Sequence, residues 1–168
     1  MKILIVSLPR TGSTSLMEKL GKENNVPYVF EPWDGTERQS YKSTDENLVL
    51  KTMIFDKENI EETNIDFYIR LSKEFDQVIL LSRRNLNHSI ESYAYFKHHK
   101  SEKFNSRQQY KWEPTPNLED VKYELTYWND VLNQLSDKLK IDITYYEDIY
   151  DLNSYEKLRK EIKVDKLI

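Results

Sequence analysis

The stretch ILIVSLPRTGSTSL, Ile3 to Leu16, constrains what this chain can fold into more than any other. Ile3 to Val6 is an unbroken run of leucine and β-branched residues, the pattern of a strand buried on both faces. From Ser13 to Asn24 the apolar residues Leu16, Met17 and Leu20 recur at helical spacing. Between the two lies Gly12 in a loop of hydroxyl residues. A strand that passes through a glycine turn into a helix aims several backbone N–H groups, and the positive end of the helix dipole, at one point. Such a point binds phosphate or sulfate. A Ser/Thr-capped helix after a buried strand has a similar pattern, so the loop by itself leaves both readings open.

The same alternation recurs downstream. Apolar runs at Tyr28–Phe30, Leu48–Ile54, Val78–Leu81 and Ile141–Tyr145 are separated by segments of helical periodicity, which predicts five strands in a parallel sheet. Leu118, Val121, Leu125, Trp128, Leu132, Leu135 and Leu139 recur at steps of three and four and predict a core-packing helix from Leu118 to Leu139. Residues His98 to Pro116 carry Lys100, Lys103, Arg107 and Lys111 with little periodicity and read as a long loop. The whole, residues 1–168, is expected to form one α/β domain, a three-layer fold with a parallel five-stranded sheet flanked by helices and built like the P-loop NTPases.

Composition narrows the partners. A formal net charge of −4 over 168 residues argues against general nucleic-acid affinity, so an anionic ligand must be met by locally concentrated cations. With no cysteine, disulfides, thiolate zinc sites and a cysteine nucleophile are all excluded. No apolar window approaches membrane-spanning length, and the N-terminal run is too short and wrongly flanked for a signal peptide. The expectation is a soluble, cytoplasmic protein with no membrane and no nucleic-acid partner; nothing selects an oligomeric state.

Against the phosphate-binding pattern G-x-x-x-x-G-K-[ST], the segment Ser7-Leu8-Pro9-Arg10-Thr11-Gly12-Ser13-Thr14 keeps the second glycine and the final threonine. It lacks the first glycine, and Ser13 replaces the lysine that reaches the β and γ phosphates of ATP. The cation sits instead at Arg10, inside the loop. Pro-Arg-Thr-Gly-Ser-Thr-Ser resembles the 5′-phosphosulfate loop of sulfotransferases that use 3′-phosphoadenosine-5′-phosphosulfate (PAPS). A second stretch, VILLSRRNLNHSIESY, ends a strand in Arg83-Arg84 and continues into a helix with Ser92 eight residues after Arg84. In that family an arginine and a serine at this spacing bind the nucleotide's 3′-phosphate. A third, ITYYEDIYDL, resembles the family's strand followed by Tyr-Glu-Asp-Leu; there Tyr146, Glu147 and Asp148 are expected to cap the next helix and brace the nucleotide loop.

The resemblance implies a site. Arg10, Thr11, Gly12, Ser13, Thr14 and Ser15 would hold the 5′-phosphosulfate, and Arg84 with Ser92 the 3′-phosphate, a guanidinium fork suiting phosphate oxygens. In LVLKTMIFD, Lys51 matches the family's lysine near the transferring group, while Met53 stands where cytosolic members carry a catalytic histidine. Lys51 lies between hydrophobic strand residues, which calls for an anion to offset its burial, or for a snorkelling edge position. Glu31, in YVFEPWDG at the end of the second strand, is the candidate base, since carbohydrate sulfotransferases carry a similar Phe-Glu-Pro segment and several members use a glutamate; a structural turn carboxylate is the alternative. Burial against an apolar wall such as Trp33 would raise its pKa towards that task. The catalytic set is thus Glu31, Lys51 and Arg10, with PAPS as donor, its bisphosphate PAP as product, a small-molecule or glycan acceptor, and no metal. Two other classes fit less of the pattern: a degenerate P-loop nucleotide kinase or NTPase, and a non-catalytic nucleotide-binding module.

Overall fold

The computed structural model describes residues 1–30, 41, 46–54, 64–94 and 118–150. In chain order these form β1 (Lys2–Ser7), α1 (Ser13–Asn24), β2 (Tyr28–Phe30), β3 (Leu48–Met53), α2 (Asn64–Ser72) and β4 (Gln77–Ser82). A helix α3 covers residues 86–94, followed by α4 (Leu118–Leu139), β5 (Ile143–Tyr145) and the single turn α5 (Tyr146–Ile149). The strands make one sheet in the order β2-β3-β1-β4-β5. Every pairing is parallel, with Ile5 opposite Lys51 on one side and Ile79 on the other.

Strand alternation sorts the core into layers. Leu4, Val6, Leu48, Leu50 and Leu80 point to the face covered by α2 and α4, where they meet Phe67, Tyr68, Leu71, Val131, Leu132 and Leu135. Ile3, Ile5, Val49 and Leu81 point the other way, onto Leu16 and Met17 of α1. A continuous apolar run is what a central strand covered on both faces requires, and each such buried side chain contributes on the order of 1.5–3 kcal/mol. A smaller cluster of Ile90, Tyr93, Val121 and Leu125 fastens α3 to the first half of α4. This is the expected three-layer α/β architecture.

The expected boundaries hold for α1, α4 and β2 and shift for the other four strands. Pairing extends β1 to Lys2–Ser7 and β4 to Gln77–Ser82, and β3 stops at Met53. Ile54 forms the following turn, although its side chain stays fully buried and its N–H bonds to the Ser7 carbonyl at 3.1 Å. Ile141 and Asp142 are not part of β5. Lys140 adopts a left-handed φ of 58° and the Ile141 N–H reaches back to the Ser136 carbonyl at 3.2 Å, which closes the end of α4 in a helix-terminating turn. Among the described residues, no helix is long and apolar enough to cross a membrane.

Candidate functional site: the loop between β1 and α1

Because β1 is central, the loop at its carboxyl end sits mid-sheet, where open parallel sheets place their ligands. The chain stays anchored past the strand: the Leu8 N–H bonds to the Leu81 carbonyl at 3.2 Å, and Leu8 and Pro9 are buried. Thr11, also buried, donates its hydroxyl to the Leu8 carbonyl at 2.7 Å and draws the loop closed. On either side of it, Arg10 (φ 61°) and Gly12 (φ 72°) adopt left-handed backbone. Glycine takes that conformation freely; an arginine there is uncommon and stores strain.

Gly12 is also the N-cap of α1. Among the described residues no side chain caps it, and the first turn holds no acidic residue. The first helical bond runs from the Leu16 N–H to the Gly12 carbonyl at 3.0 Å, so the N–H groups of Ser13, Thr14 and Ser15 precede the helical ladder. With the positive end of the dipole behind them, these groups suit an anion. Ser13 is buried, while Thr14 and Ser15 face solvent.

A helix from the far end of the chain braces the loop. Tyr146 and Tyr150 stack at 4.7 Å between centroids and lie against Gly12, and the Tyr150 hydroxyl donates to the Gly12 carbonyl at 3.0 Å. Burial pushes that hydroxyl's pKa above its usual value, helped by neighbouring Tyr146. Tyr146, Glu147 and Asp148, which the resemblance cast as the cap of the next helix, are themselves the body of the helix that follows β5, α5, with Tyr145 as its N-cap. The bracing expected of this segment is carried by Tyr146, together with Tyr150.

The cations separate by strand face. Lys51 is 3% exposed and its ammonium lies 4.4 Å from the Phe30 ring centroid. Alternation along β3 puts it on the α1 side with Val49, whereas Thr52 turns to Tyr68 of α2, hydroxyl to hydroxyl at 3.4 Å. It is therefore a buried lysine rather than a snorkelling one. Past β4, the same alternation turns Arg83 to the α1 side, where it is 7% exposed and its guanidinium sits 4.3 Å from the Tyr146 ring centroid. Sequence reading passed over Arg83 because motif spacing selects Arg84; the signal was the in-and-out alternation continuing one residue beyond the strand.

Arg84 and Ser92 have different partners. The Arg84 guanidinium donates to both Asp148 carboxylate oxygens at 2.7 and 2.8 Å, its backbone N–H donates to Glu147 at 3.1 Å, and it lies 4.5 Å from the Tyr145 ring centroid. The hydrogen bond to Asp148 raises its pKa further above an already basic value. Ser92, on α3, accepts from the Nε–H of Arg10 at 3.2 Å. The loop cation is thus tied to the helix that follows Arg84, joining the two halves of the sequence signature. Glu31, Trp33 and the segment from His98 to Pro116 lie outside the described residues.

Neither protein-family models nor curated proteins yield a match to this chain. Among solved structures, it is similar to the YorR protein of Bacillus subtilis, crystallised in complex with phosphorylated GDP, at 11% identity and a TM-score of 0.45, covering 94% of this chain and 98% of that one. A likeness so distant transfers neither ligand nor activity.

Proposed function

We propose that this protein binds a 3′,5′-phosphorylated adenosine nucleotide and acts as a PAPS-dependent sulfotransferase. The observation that carries the reading is the loop itself: two left-handed residues around a closed Thr11, an arginine inside the turn, and a buried serine where ATP-binding loops place their lysine. That combination favours a tetrahedral anion held by backbone N–H groups and Arg10 over an ATP triphosphate chain. Residues Arg10 to Ser15 would hold the 5′-phosphosulfate. Lys51, buried on the α1 side of the neighbouring strand, would offset charge on the transferring sulfuryl oxygens. Arg84 and Ser92 would take the 3′-phosphate, which requires Arg84 to exchange Asp148 for the ligand.

In the reaction an acceptor hydroxyl or amine attacks sulfur in line, the bond from sulfur to the bridging phosphate oxygen breaks, and the bisphosphate departs with that electron pair. Glu31 would take the acceptor proton. The scheme calls for no metal ion. Calorimetric titration with adenosine 3′,5′-bisphosphate in the presence of EDTA tests the nucleotide assignment: saturable binding is expected, and none at millimolar ligand would end it. Tighter, magnesium-dependent binding of ATP would point to the kinase or NTPase class instead. Glu31→Gln should keep bisphosphate binding and lose turnover with a mixed acceptor panel; a fully active variant would acquit Glu31.

A further inference from the structure

Arg83 has no part in the reading above. Alternation carries it to the α1 face of the sheet together with Leu81, which stands opposite Ser7 of β1. There its guanidinium is buried over the Tyr146 ring, 4.3 Å from the centroid. We propose that Arg83 is a positioning residue of the anion loop: by holding Tyr146 against Gly12 it keeps the loop in the shape that grips an anion. This rests on the anion-loop part of that reading and names the group that keeps the loop formed.

The loop cannot hold itself. Arg10 and Gly12 both have left-handed backbone, and a strained turn persists only where its surroundings fix it. Those surroundings are aromatic. Tyr146 Cδ2 and Cε2 and Tyr150 Cε2 lie 2.8 to 2.9 Å from where a Gly12 Cβ would stand, and the two rings stack at 4.7 Å. Yet Tyr146 belongs to α5, a single turn of four residues, and so short a helix has no stability of its own. Its place must come from what grips it.

Two consecutive arginines supply the grip. Arg84 donates its backbone N–H to Glu147 and its guanidinium to Asp148; Arg83, turned to the other face of the sheet, takes the ring. A nucleotide acts on the two differently. A phosphate that draws the Arg84 guanidinium away from Asp148 releases one hold on α5, whereas Arg83 stays over Tyr146 and keeps the loop braced while it is loaded. Arginine suits the task. A planar guanidinium stacks on aromatic faces and is more weakly hydrated than an ammonium, and its attraction to a ring grows where water is excluded. At 7% exposure, water is largely excluded around Arg83.

The test uses the intact protein. Thr11-Gly12 is the one Thr-Gly pair in the sequence, so ¹³C-carbonyl threonine with ¹⁵N-glycine isolates the Gly12 amide signal by NMR, and the Gly21 signal reports an intact fold. Arg83→Met should shift the Gly12 signal, leave that of Gly21 in place, and weaken binding of adenosine 3′,5′-bisphosphate in EDTA by about three- to thirtyfold. Arg83→Lys, which restores a cation, should recover most of both. In a Tyr146→Leu background, Arg83→Met should change neither further. A Gly12 signal indifferent to Arg83→Met would overturn the proposal, as would a lysine variant no better than the methionine one. Equal loss of affinity with and without the Tyr146 ring would also overturn it, since Arg83 would then act on the anion itself. Should Arg83→Met fail to fold, Tyr146→Phe is followed by the same phenylalanine carrying three and then five fluorines. Fluorination drains negative charge from the ring face, which weakens the hold of a cation and strengthens stacking on Tyr150. Stepwise loss of affinity with stepwise broadening of the Gly12 signal supports Arg83; a series that stays flat or gains affinity refutes it. No bisphosphate binding in the wild type, with a Gly12 signal that still answers Arg83→Met, would sink the nucleotide reading and leave the hold of Arg83 on the loop standing, so the two failures are distinct.

Discussion

Replacing Gly12 with alanine tests whether the loop and its aromatic brace form one rigid unit. Two costs act together. The left-handed φ of 72° costs a residue with a Cβ about 1–2 kcal/mol. The added Cβ would stand 2.8 Å from Tyr146 Cε2 and 2.9 Å from Tyr150 Cε2, inside contact distance. Those rings cannot simply swing aside, since they stack on each other and Tyr150 is tied to the Gly12 carbonyl; overpacking of this kind costs about 1–3 kcal/mol. The expected loss is about 2–5 kcal/mol, which at a urea m-value of about 2 kcal/mol/M lowers the unfolding midpoint by about 1–2.5 M. Adding Tyr146→Ala should return the share of the steric cost that this ring imposes and leave the backbone cost and the Tyr150 contact, a coupling that a double-mutant cycle reads directly. If Gly12→Ala alone unfolds within about 0.5 kcal/mol of the wild type, the loop is not braced as described.

Three further outcomes follow from the same site. Arg10→Gly should relieve left-handed strain and stabilise the fold by about 0.5–1 kcal/mol in chemical denaturation while weakening bisphosphate binding; a variant both less stable and unchanged in binding would refute the strained-cation role. Asp148→Asn removes the carboxylate that competes for the Arg84 guanidinium, so titration should show tighter bisphosphate binding, and a weaker one would mean Asp148 supports the site. The Tyr150 hydroxyl has its pKa raised in the fold above the ordinary value of 10.0, so the folded state holds the proton more tightly than the unfolded chain does. Its contribution is whole below pH 10 and fades as pH climbs through the folded value. Tyr150→Phe should flatten the alkaline arm of a stability-versus-pH curve, and an arm of unchanged slope would count against the burial of that hydroxyl.

Much of the framework was legible in local pattern. The run Ile3–Val6, the glycine and the helical spacing of Leu16, Met17 and Leu20 specify strand, loop and helix with no other part of the chain, because a central parallel strand needs apolar side chains on both faces and a tight anion loop needs one residue free of a Cβ. The periodicity of α4 likewise carried its full length from Leu118 to Leu139. Strand ends were less legible, as with Ile141, whose apolar side chain reads as strand although a helix-terminating turn claims its backbone.

What only tertiary structure decided is which side chains meet. Motif spacing pairs Arg84 with Ser92, but Ser92 meets Arg10, 82 residues away, and Arg84 meets Asp148, 64 residues away. Arg83, the less conspicuous neighbour, is the buried guanidinium beside the loop's aromatic brace. Periodicity reports the face of a single element; it carries no record of which other element docks there. The burial of Lys51 and Arg83 and the tyrosine pair over Gly12 all arise from that docking, in which parallel strands bring their carboxyl ends, far apart in the chain, to one edge of the sheet.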